Sequence, residues 1–195
     1  FNPISKKAII IDPAEANPLI DAITELNLNL EYILITHHHQ DHVDGNIKLK
    51  NKFNCKIVGF ADDSNRIPGI DIMVKDKEIF NFEDEEIQLN FSPGHTNGHV
   101  FYYFIKNKLA FVGDVVFSLG CGRIFEGTAN DMYQSVMKIK SLPDDVKIFC
   151  GHEYTEGNLK FCLSYDDKND HLKKRAIEIK TLRDNGHPTV PTTVL

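Results

Sequence analysis

A cluster of histidines directly after a short apolar run constrains this chain more than any other feature. The apolar run 32–35 has the length and the polar borders of a buried strand, and the segment 36–42 that follows it reads THHHQDH. Neutral imidazoles and carboxylates are ligands that borderline divalent metals such as zinc prefer. In an extended or tightly turned segment His37 and His39 point to the same side, so both can reach one ion. The aspartate and the last histidine of the segment can then serve a second ion.

A surface histidine tract or an expression tag is the alternative interpretation of this cluster. A tag would be terminal and repetitive, whereas the cluster is internal and follows a core strand. The sequence therefore favours a metal site at the end of this strand.

Composition excludes several classes of function. The chain of 195 residues is long enough for one substantial core, and its 42% hydrophobic and 26% charged residues are ordinary for a globular protein. The net charge of -6 argues against a nucleic-acid or anionic-membrane surface. No apolar run reaches the roughly 18 residues of a transmembrane helix. The four cysteines show no CxxC spacing, which indicates free thiols in a reducing compartment. We therefore expect a cytoplasmic monomer without nucleic-acid or membrane partners.

The two ends of the chain are typical of a fragment. The sequence opens on Phe1 without an initiator methionine and closes within the stretch 191–195. We therefore expect a longer parent polypeptide, and an organellar targeting segment stays open as an alternative to a cytoplasmic location.

Hydrophobic periodicity predicts strands that alternate with a few helices. The predicted strands cover 7–12, 31–36, 55–59, 78–82, 86–91, 99–105, 108–113 and 147–150. The predicted helices cover 15–28, 46–52, 129–140 and 157–184. Because strand signals end near residue 150, we predict a strand-rich domain over 1–153 and the start of a helical domain over 154–195. No Gly-, Pro- or Ser-rich linker separates them, so we expect the two parts to pack together.

Further potential ligands follow other predicted strands. His95, Asp114 and His152 each come shortly after an apolar run. A lone histidine or aspartate in such a place is usually a hydrogen-bonded loop residue. Because all three occur in a chain whose histidine cluster already favours metal, we instead predict that they are metal ligands. The sequence thus predicts that several strands deliver ligands to one edge of a sheet.

The order of four motifs resembles a known superfamily. THHHQDH, SPGHTNGH, FVGD and CGHE occur in this order, as they do in the metallo-β-lactamase superfamily. The longer phrases GCGRIFEGT at 120–128 and CGHEYT at 150–155 are similar to those of glyoxalase II (hydroxyacylglutathione hydrolase) enzymes. The resemblance implies an α/β fold, namely an αββα sandwich of two mixed β-sheets flanked by helices. It also implies the start of a C-terminal helical domain.

The resemblance further implies a site for two divalent metal ions. The implied ligands are His37, His39 and His95 for the first ion, Asp41, His42 and His152 for the second, and Asp114 for both. Asp41 would also act in catalysis, because it would orient or deprotonate the bridging water. Zinc is the favoured metal, with iron or manganese as alternatives. Two such ions lower the pKa of a shared water and so supply a nucleophile without a serine or a cysteine.

The substrate implied by the resemblance is a small glutathione thioester. Enzymes of this kind hydrolyse S-D-lactoylglutathione and related 2-hydroxyacyl-glutathiones to D-lactate and glutathione, the second step of methylglyoxal detoxification. Arg123 and Tyr154 stand at two positions where the family contacts glutathione, and Phe125 stands where a tyrosine is common. We therefore expect one hydroxyl contact to be lost, with an effect on affinity rather than on the chemistry.

Two alternatives stay open on the sequence. A persulfide dioxygenase of the same superfamily would use one iron held by first-site ligands, but the phrases at 120–128 and 150–155 argue against it. A non-catalytic metal- or thioester-binding module would show a lost ligand, and none of the seven positions is lost.

Other residues near the cluster receive separate predictions. His38 lies between two potential ligands and points away from them, so we predict a structural hydrogen bond. We predict His99 to be a buried residue that orients the loop, and His171 and His187 to be surface residues. Cys121 and Cys150 flank the site, and we predict both to be buried small apolar residues.

Overall fold

Two β-sheets form the centre of the molecule in the computed structural model, which describes residues 1–194. In chain order, the strands are β1 (Lys7–Ile11), β2 (Asn29–Leu34), β3 (Lys56–Phe60), β4 (Ile72–Val74), β5 (Ile79–Phe82), β6 (Glu85–Phe91), β7 (Val100–Phe104), β8 (Leu109–Gly113), β9 (Val116–Phe117), β10 (Gly120–Cys121), β11 (Lys147–Cys150) and β12 (Thr192–Thr193). The helices are α1 (Ala16–Glu25), α2 (Gln40–Val43), α3 (Asn46–Phe53), α4 (Ala129–Lys140), α5 (Thr155–Tyr165) and α6 (Asp170–Asp184), together with a 3-10 helix at Ala61–Arg66.

The smaller sheet is parallel and the larger sheet is mixed. The smaller sheet has the order β1-β2-β3-β4, and all its neighbours pair in parallel. The larger sheet has the order β12-β11-β8-β7-β6-β5, in which only β11 and β8 pair in parallel. The prediction of two mixed sheets is therefore wrong for the smaller sheet within residues 1–194. The reason is that α1 and then α2 and α3 carry the chain across this sheet between successive strands, and such crossovers produce parallel neighbours.

The two sheets pack against each other through one apolar layer. Leu34 and Val58 of the smaller sheet belong to the same buried cluster as Ile87 and Leu89 of the larger sheet. Each fully buried side chain of this size stabilises the fold by about 1.5–3 kcal/mol. Tyr102 lies in the same layer, and its hydroxyl donates a hydrogen bond to the carbonyl oxygen of Ile35 at 2.8 Å. This bond ties the larger sheet to the chain immediately before the histidine cluster.

Helices cover the outer faces of both sheets. Ile23 of α1 and Leu49 of α3 pack on the smaller sheet, whereas Met132 of α4 packs on the larger one. Helix α4 begins with a capping box, in which Thr128 and Asp131 satisfy each other's backbone N–H groups. The αββα arrangement that the sequence predicts is therefore confirmed.

The predicted elements differ from the observed ones at several places. The short elements α2, β9, β10, β12 and the 3-10 helix lie outside every predicted strand and helix. Strand β4 lies in a stretch that reads as polar, and the predicted helix at 157–184 is two helices, α5 and α6. The prediction that the C-terminal segment packs on the strand-rich part is confirmed, because Glu153 accepts hydrogen bonds from the backbone N–H and the hydroxyl of Thr189 at 2.7 and 2.6 Å. Within residues 1–194, every helix is too short or too polar to cross a membrane.

Candidate metal centre

The potential ligands lie where several strands end. The loop 36–42 follows β2, His95 lies between β6 and β7, Asp114 follows β8 and His152 follows β11. Because these strand ends meet at one edge of the two sheets, side chains far apart in the sequence come together there. All seven predicted ligands belong to this group.

Three imidazoles converge in the first part of the centre. The Nδ1 atom of His39 lies 3.1 Å from Nε2 of His37 and 3.1 Å from Nε2 of His95. His37 and His95 are buried, and His39 is partly exposed. Three ring nitrogens so close together, each of them able to offer a lone pair, form a donor set of the kind that zinc binds.

A backbone carbonyl orients His95. Its Nδ1 atom lies 2.7 Å from the carbonyl oxygen of Arg123. Because a carbonyl oxygen only accepts hydrogen bonds, Nδ1 carries the proton and Nε2 keeps its lone pair directed at His39.

Asp12 orients two further histidines. Its Oδ2 atom accepts hydrogen bonds from Nδ1 of His42 at 2.9 Å and from the hydroxyl of Thr36 at 2.6 Å. Since the Thr36 proton points to Asp12, the Thr36 oxygen accepts from Nδ1 of His37 at 3.0 Å. The Nε2 atoms of both histidines therefore face the centre, and each offers a lone pair when its ring is neutral. Sequence reasoning missed Asp12, although its position at the end of β1 is the signal that also identified Asp114 and His152.

The second part of the centre combines Asp41, His42 and His152. Their potential ligand atoms all lie within 4.8 Å of one another, with Nε2 of His152 at 3.3 Å from Oδ2 of Asp41. The carboxylate of Asp114 lies between the two parts. One of its oxygens is 3.5 Å from Nε2 of His95 and 3.3 Å from Nε2 of His152, and the other is 3.5 Å from Nε2 of His42. This position is compatible with a ligand that two ions share.

The unsatisfied buried atoms of the centre fit a bound cation. Within residues 1–194, Nε2 of His42 and Oδ1 of Asp114 are buried without a hydrogen-bond partner. Leaving such polar atoms unsatisfied is costly unless a cation or another group compensates them. Gly151 keeps the space beside them free, because a Cβ atom there would lie 2.4 Å from Oδ1 of Asp114. The histidine and aspartate groups are therefore consistent with a metal site.

Burial keeps the three imidazoles of the first part of the centre neutral, whereas the pKa of His42 is raised because burial is outweighed by the hydrogen bond to Asp12 together with the charges of nearby carboxylates. Burial lowers the pKa of His37 and of His39, and it lowers the pKa of His95 to about 4. For the carboxyl group of Asp114, burial raises the pKa, although His42 and His152 oppose the effect. Each of these burial effects reflects the cost of a charge in a desolvated place. Neutral imidazoles at physiological pH have the lone pairs that a metal requires.

The remaining histidines are placed largely as the sequence predicts. His99 is fully buried, and its Nε2 accepts a hydrogen bond from the backbone N–H of Asp114 at 3.1 Å. His38 points away from the centre, with its Nε2 3.3 Å from a guanidinium nitrogen of Arg66. His171 and His187 are exposed. These four predictions are confirmed.

A cavity of about 640 Å³ opens onto the centre. It is lined by Arg123, Phe125 and Tyr154, together with residues from both parts of the centre. The Phe125 ring meets those of His95 and His39 edge-on, with centroids 5.2 and 5.5 Å apart. The guanidinium of Arg123 lies 5.7 Å from the Phe125 centroid.

On the opposite side of the cavity, Tyr154 stacks on His152 at 4.8 Å. Cys121 also lines this cavity and is exposed, so the prediction that it is buried is wrong. The reason is that Cys121 belongs to the short pair of strands β9 and β10, which lies outside both sheets.

Sequence comparison places the chain in a family. Residues 4–152 match the model of the metallo-beta-lactamase superfamily, and residues 153–195 match the model of the hydroxyacylglutathione hydrolase C-terminus. The chain is 48% identical over 187 residues to the hydroxyacylglutathione hydrolase of Pelagibacter ubique, covering 96% of this chain and 78% of that protein. It is 44% identical over 182 residues to that of Rhodospirillum rubrum, covering 93% and 71%.

The chain belongs to the hydroxyacylglutathione hydrolase family. Solved structures agree with this family at the level of the fold. The crystal structure of the BLEG-1 B3 metallo-beta-lactamase superposes with a TM-score of 0.69 at 26% identity, over 75% of this chain and 81% of that chain. The structure of ETHE1 from Myxococcus xanthus superposes with a TM-score of 0.70 at 26% identity, over 78% and 68%. The resemblance inferred from the motifs is confirmed, whereas metal ligation by each residue of this hydroxyacylglutathione hydrolase stays a prediction.

We predict that Asp12→Asn weakens metal binding in this hydroxyacylglutathione hydrolase by about 10- to 100-fold, the usual effect of losing an outer partner of a ligand. An asparagine cannot present an acceptor to Thr36, His42 and the backbone N–H of Thr36 at the same time. Competition with a chelator would measure the affinity. Asp145→Asn, which changes an aspartate of an exposed ion pair, is the matched control. Equal affinities in the two variants would contradict the role of Asp12.

We also predict that the chelator-treated protein loses stability as the pH falls from about 6.5 to about 4. Burial lowers the pKa of His95 from 6.5 to about 4, so the unfolded chain binds a proton in this window that the folded chain does not. The free energy of unfolding therefore decreases as the pH falls. Urea denaturation across the window tests this, and the His95→Gln variant should depend less steeply on pH. Identical slopes for both proteins would refute the assignment to His95.

Proposed function

We propose that this chain hydrolyses the thioester bond of S-D-lactoylglutathione and related 2-hydroxyacyl-glutathiones, releasing D-lactate and glutathione in the second step of methylglyoxal detoxification. One observation carries the proposal. A single cavity is lined both by potential metal ligands and by Arg123, Phe125 and Tyr154, the residues that correspond to glutathione contacts. Membership in the hydroxyacylglutathione hydrolase family supports the same substrate class.

The proposed metal ligands divide into two sets with one shared member. His37, His39 and His95 would hold one divalent ion, Asp41, His42 and His152 would hold the other, and Asp114 would contact both. Zinc is the favoured ion because the set consists of imidazoles and carboxylates, and iron and manganese accept the same donors. Two such ions, when bound, polarise a carbonyl group and lower the pKa of a water molecule to near neutrality.

Asp41 is the proposed catalytic residue. Its side chain is 58% exposed at the edge of the cavity, whereas the other carboxylate of the centre, Asp114, is buried. An accessible carboxylate 3.3 Å from Nε2 of His152 can accept a hydrogen bond from the attacking water and take its proton. Asp114 is less suited to this task, because its neighbours surround it on several sides.

Arg123 and Tyr154 are the proposed contacts to glutathione. The guanidinium of Arg123 offers several donors in a fixed plane, which suits a carboxylate or a carbonyl of a peptide-like ligand. Stacking against Phe125 limits the directions in which this guanidinium can point. Tyr154 presents its hydroxyl beside α5, so residues from 154 onward would contribute to substrate binding as the beginning of a helical domain.

The dinuclear proposal and the dioxygenase alternative differ in the second metal set. Asp41, His42 and His152 lie within 4.8 Å of one another, although a mononuclear enzyme has no use for this group. This arrangement supports a hydrolase that binds two ions.

We predict about two metal ions per chain and hydrolysis of lactoylglutathione that does not depend on oxygen. His152→Ala should lower the metal content to about one ion and remove most of the activity, because it removes a ligand of the second set only. Metal analysis and thioester hydrolysis under anaerobic conditions measure both effects, and His171→Ala on the exposed face of α6 is the matched control. A single iron, oxygen consumption with glutathione persulfide and an active His152→Ala variant would instead identify a dioxygenase.

We further predict that Arg123→Ala raises KM for lactoylglutathione and changes kcat little. The contact exists in both the ground state and the transition state, so its loss weakens both equally. Phe125→Tyr should lower KM by the equivalent of one neutral hydrogen bond, ~0.5–1.5 kcal/mol. Steady-state kinetics of the two variants provides the test. A decrease of kcat in Arg123→Ala without a change in KM would count against the assignment.

A further inference from the structure

Arg66 connects three segments beside the metal centre. It is the last residue of the 3-10 helix, and its Nε donates to the carboxylate of Asp63 within the same helix. Its two terminal nitrogens donate to the carboxylate oxygens of Glu126 at 2.6 and 3.2 Å, which is a bidentate pair. One of these nitrogens also lies 3.3 Å from Nε2 of His38, in the middle of the histidine cluster.

Glu126 also contacts the loop that contains His95. Its Oε2 atom accepts a hydrogen bond from the backbone N–H of Asn97 at 2.6 Å, two residues after His95. Hydrogen bonding to Arg66 lowers the pKa of Glu126, so the carboxylate is ionised at neutral pH. The Arg66–Glu126 pair therefore joins the 3-10 helix, the loop that contains His95 and the segment 123–127.

Apart from Glu126, the segment 123–127 is attached by backbone hydrogen bonds to the loop of His95, and the shortest of these joins Nδ1 of His95 to the carbonyl oxygen of Arg123 at 2.7 Å. The backbone N–H groups of Phe125 and Gly127 donate to the carbonyl oxygens of His95 and Gly94 at 3.2 and 3.3 Å, which are long hydrogen bonds. Among the side chains of this segment, within residues 1–194, only that of Glu126 forms hydrogen bonds or ion pairs. Phe125 is 58% exposed, so burial contributes little to its position. Within the described residues, Glu126 is therefore the side chain that adds polar contacts to these backbone bonds and that links the segment to the 3-10 helix.

The other partners of Arg66 are rigid. Asp63 is buried and lies against Gly98, where any side chain would overlap the Asp63 carboxylate. This close approach places the 3-10 helix in contact with the loop 95–98. Arg66 thus extends from this helix to a segment whose other described hydrogen bonds run to residues 94–97.

We propose that Arg66 is a positioning residue for substrate recognition, which holds Arg123 and Phe125 over the metal centre through its bidentate pair with Glu126. The inference rests on the proposed thioester hydrolysis for its kinetic consequence, but its structural part is independent of activity. Arg66 itself lies outside the group that lines the cavity. Its effect is therefore expected on KM, through the residues that it positions.

The test combines Arg66→Met, Glu126→Gln and the double variant in the full chain. Arg66→Met should raise KM for lactoylglutathione about three- to tenfold, with kcat and metal content unchanged, because recognition is impaired but the centre is intact. Glu126→Gln should act in the same direction and more weakly. The double variant should be no worse than Arg66→Met, because both changes break one interaction. Glu126→Gln also leaves the pair of Arg66 and Asp63 in place, so it remains informative if Arg66→Met fails to fold.

Hydrogen exchange provides a readout that does not require activity. The backbone N–H groups of Phe125 and Gly127 should exchange about tenfold faster in Arg66→Met, while the strands keep their protection. Lys50→Met is the matched control. It removes an ion pair with Asp71 of similar exposure that lies away from the cavity, so neither KM nor exchange at 123–127 should change.

The outcomes separate the two hypotheses. Unchanged KM and unchanged local exchange in Arg66→Met and Glu126→Gln would overturn the inference, as would a uniform rise in exchange or a loss of metal. If the unmodified chain does not hydrolyse thioesters, the proposed function fails. The exchange at 123–127 then still decides whether Arg66 positions this segment.

Discussion

The proton positions of the imidazoles are the constraint on which the metal centre depends, and the Asp12 carboxylate determines two of them. It accepts from His42 directly and fixes His37 through the hydroxyl of Thr36. Asp12 adopts a positive φ of 48°, a conformation that aspartate tolerates better than most residues. In this conformation its backbone N–H still reaches the carbonyl oxygen of Leu34 at the end of β2, and its carboxylate turns toward Thr36. Strand β1, which ends just before Asp12, therefore helps to position the imidazoles, as does β2, which precedes the histidine cluster.

Desolvation acts on both kinds of ligand in this centre. It lowers the pKa of His95 to about 4 and raises the pKa of Asp114, so in each case it favours the neutral form. For imidazoles the neutral form is the one that binds metal, whereas a carboxylate ligand must be ionised. A bound divalent cation would instead favour the ionised form of Asp114, because its charge would compensate the buried carboxylate. Burial therefore makes the unsatisfied polar atoms of the centre costly, and this cost favours the binding of a cation.

The structural support differs between the potential metal ligands and the residues proposed to face the substrate. The ligands follow strands whose apolar layer is fully buried, and the bond from Tyr102 to Ile35 ties the two sheets together next to them. Arg123 and Phe125 lie on an exposed segment that no sheet supports. In this segment, the ion pair of Arg66 and Glu126 supplies contacts that buried apolar side chains supply elsewhere.

The sequence by itself determined the strands β1, β2, β3, β5 to β8 and β11, the helices α1, α3 and α4, and the group of seven potential ligands. These features are local, since periodicity reports which face of a segment is buried and each potential ligand lies within a few residues of a strand or in the histidine cluster after β2. Only the tertiary structure decided the roles of Asp12 and of the Arg66–Glu126 pair, because Asp12 and His42 lie 30 positions apart and Arg66 and Glu126 lie 60 apart. It also decided that β4 forms in a polar stretch, where pairing with β3 supplies the hydrogen bonds. Hydrogen bonds between distant residues leave no periodic pattern in the chain, so they become visible only when folding brings the strand ends together.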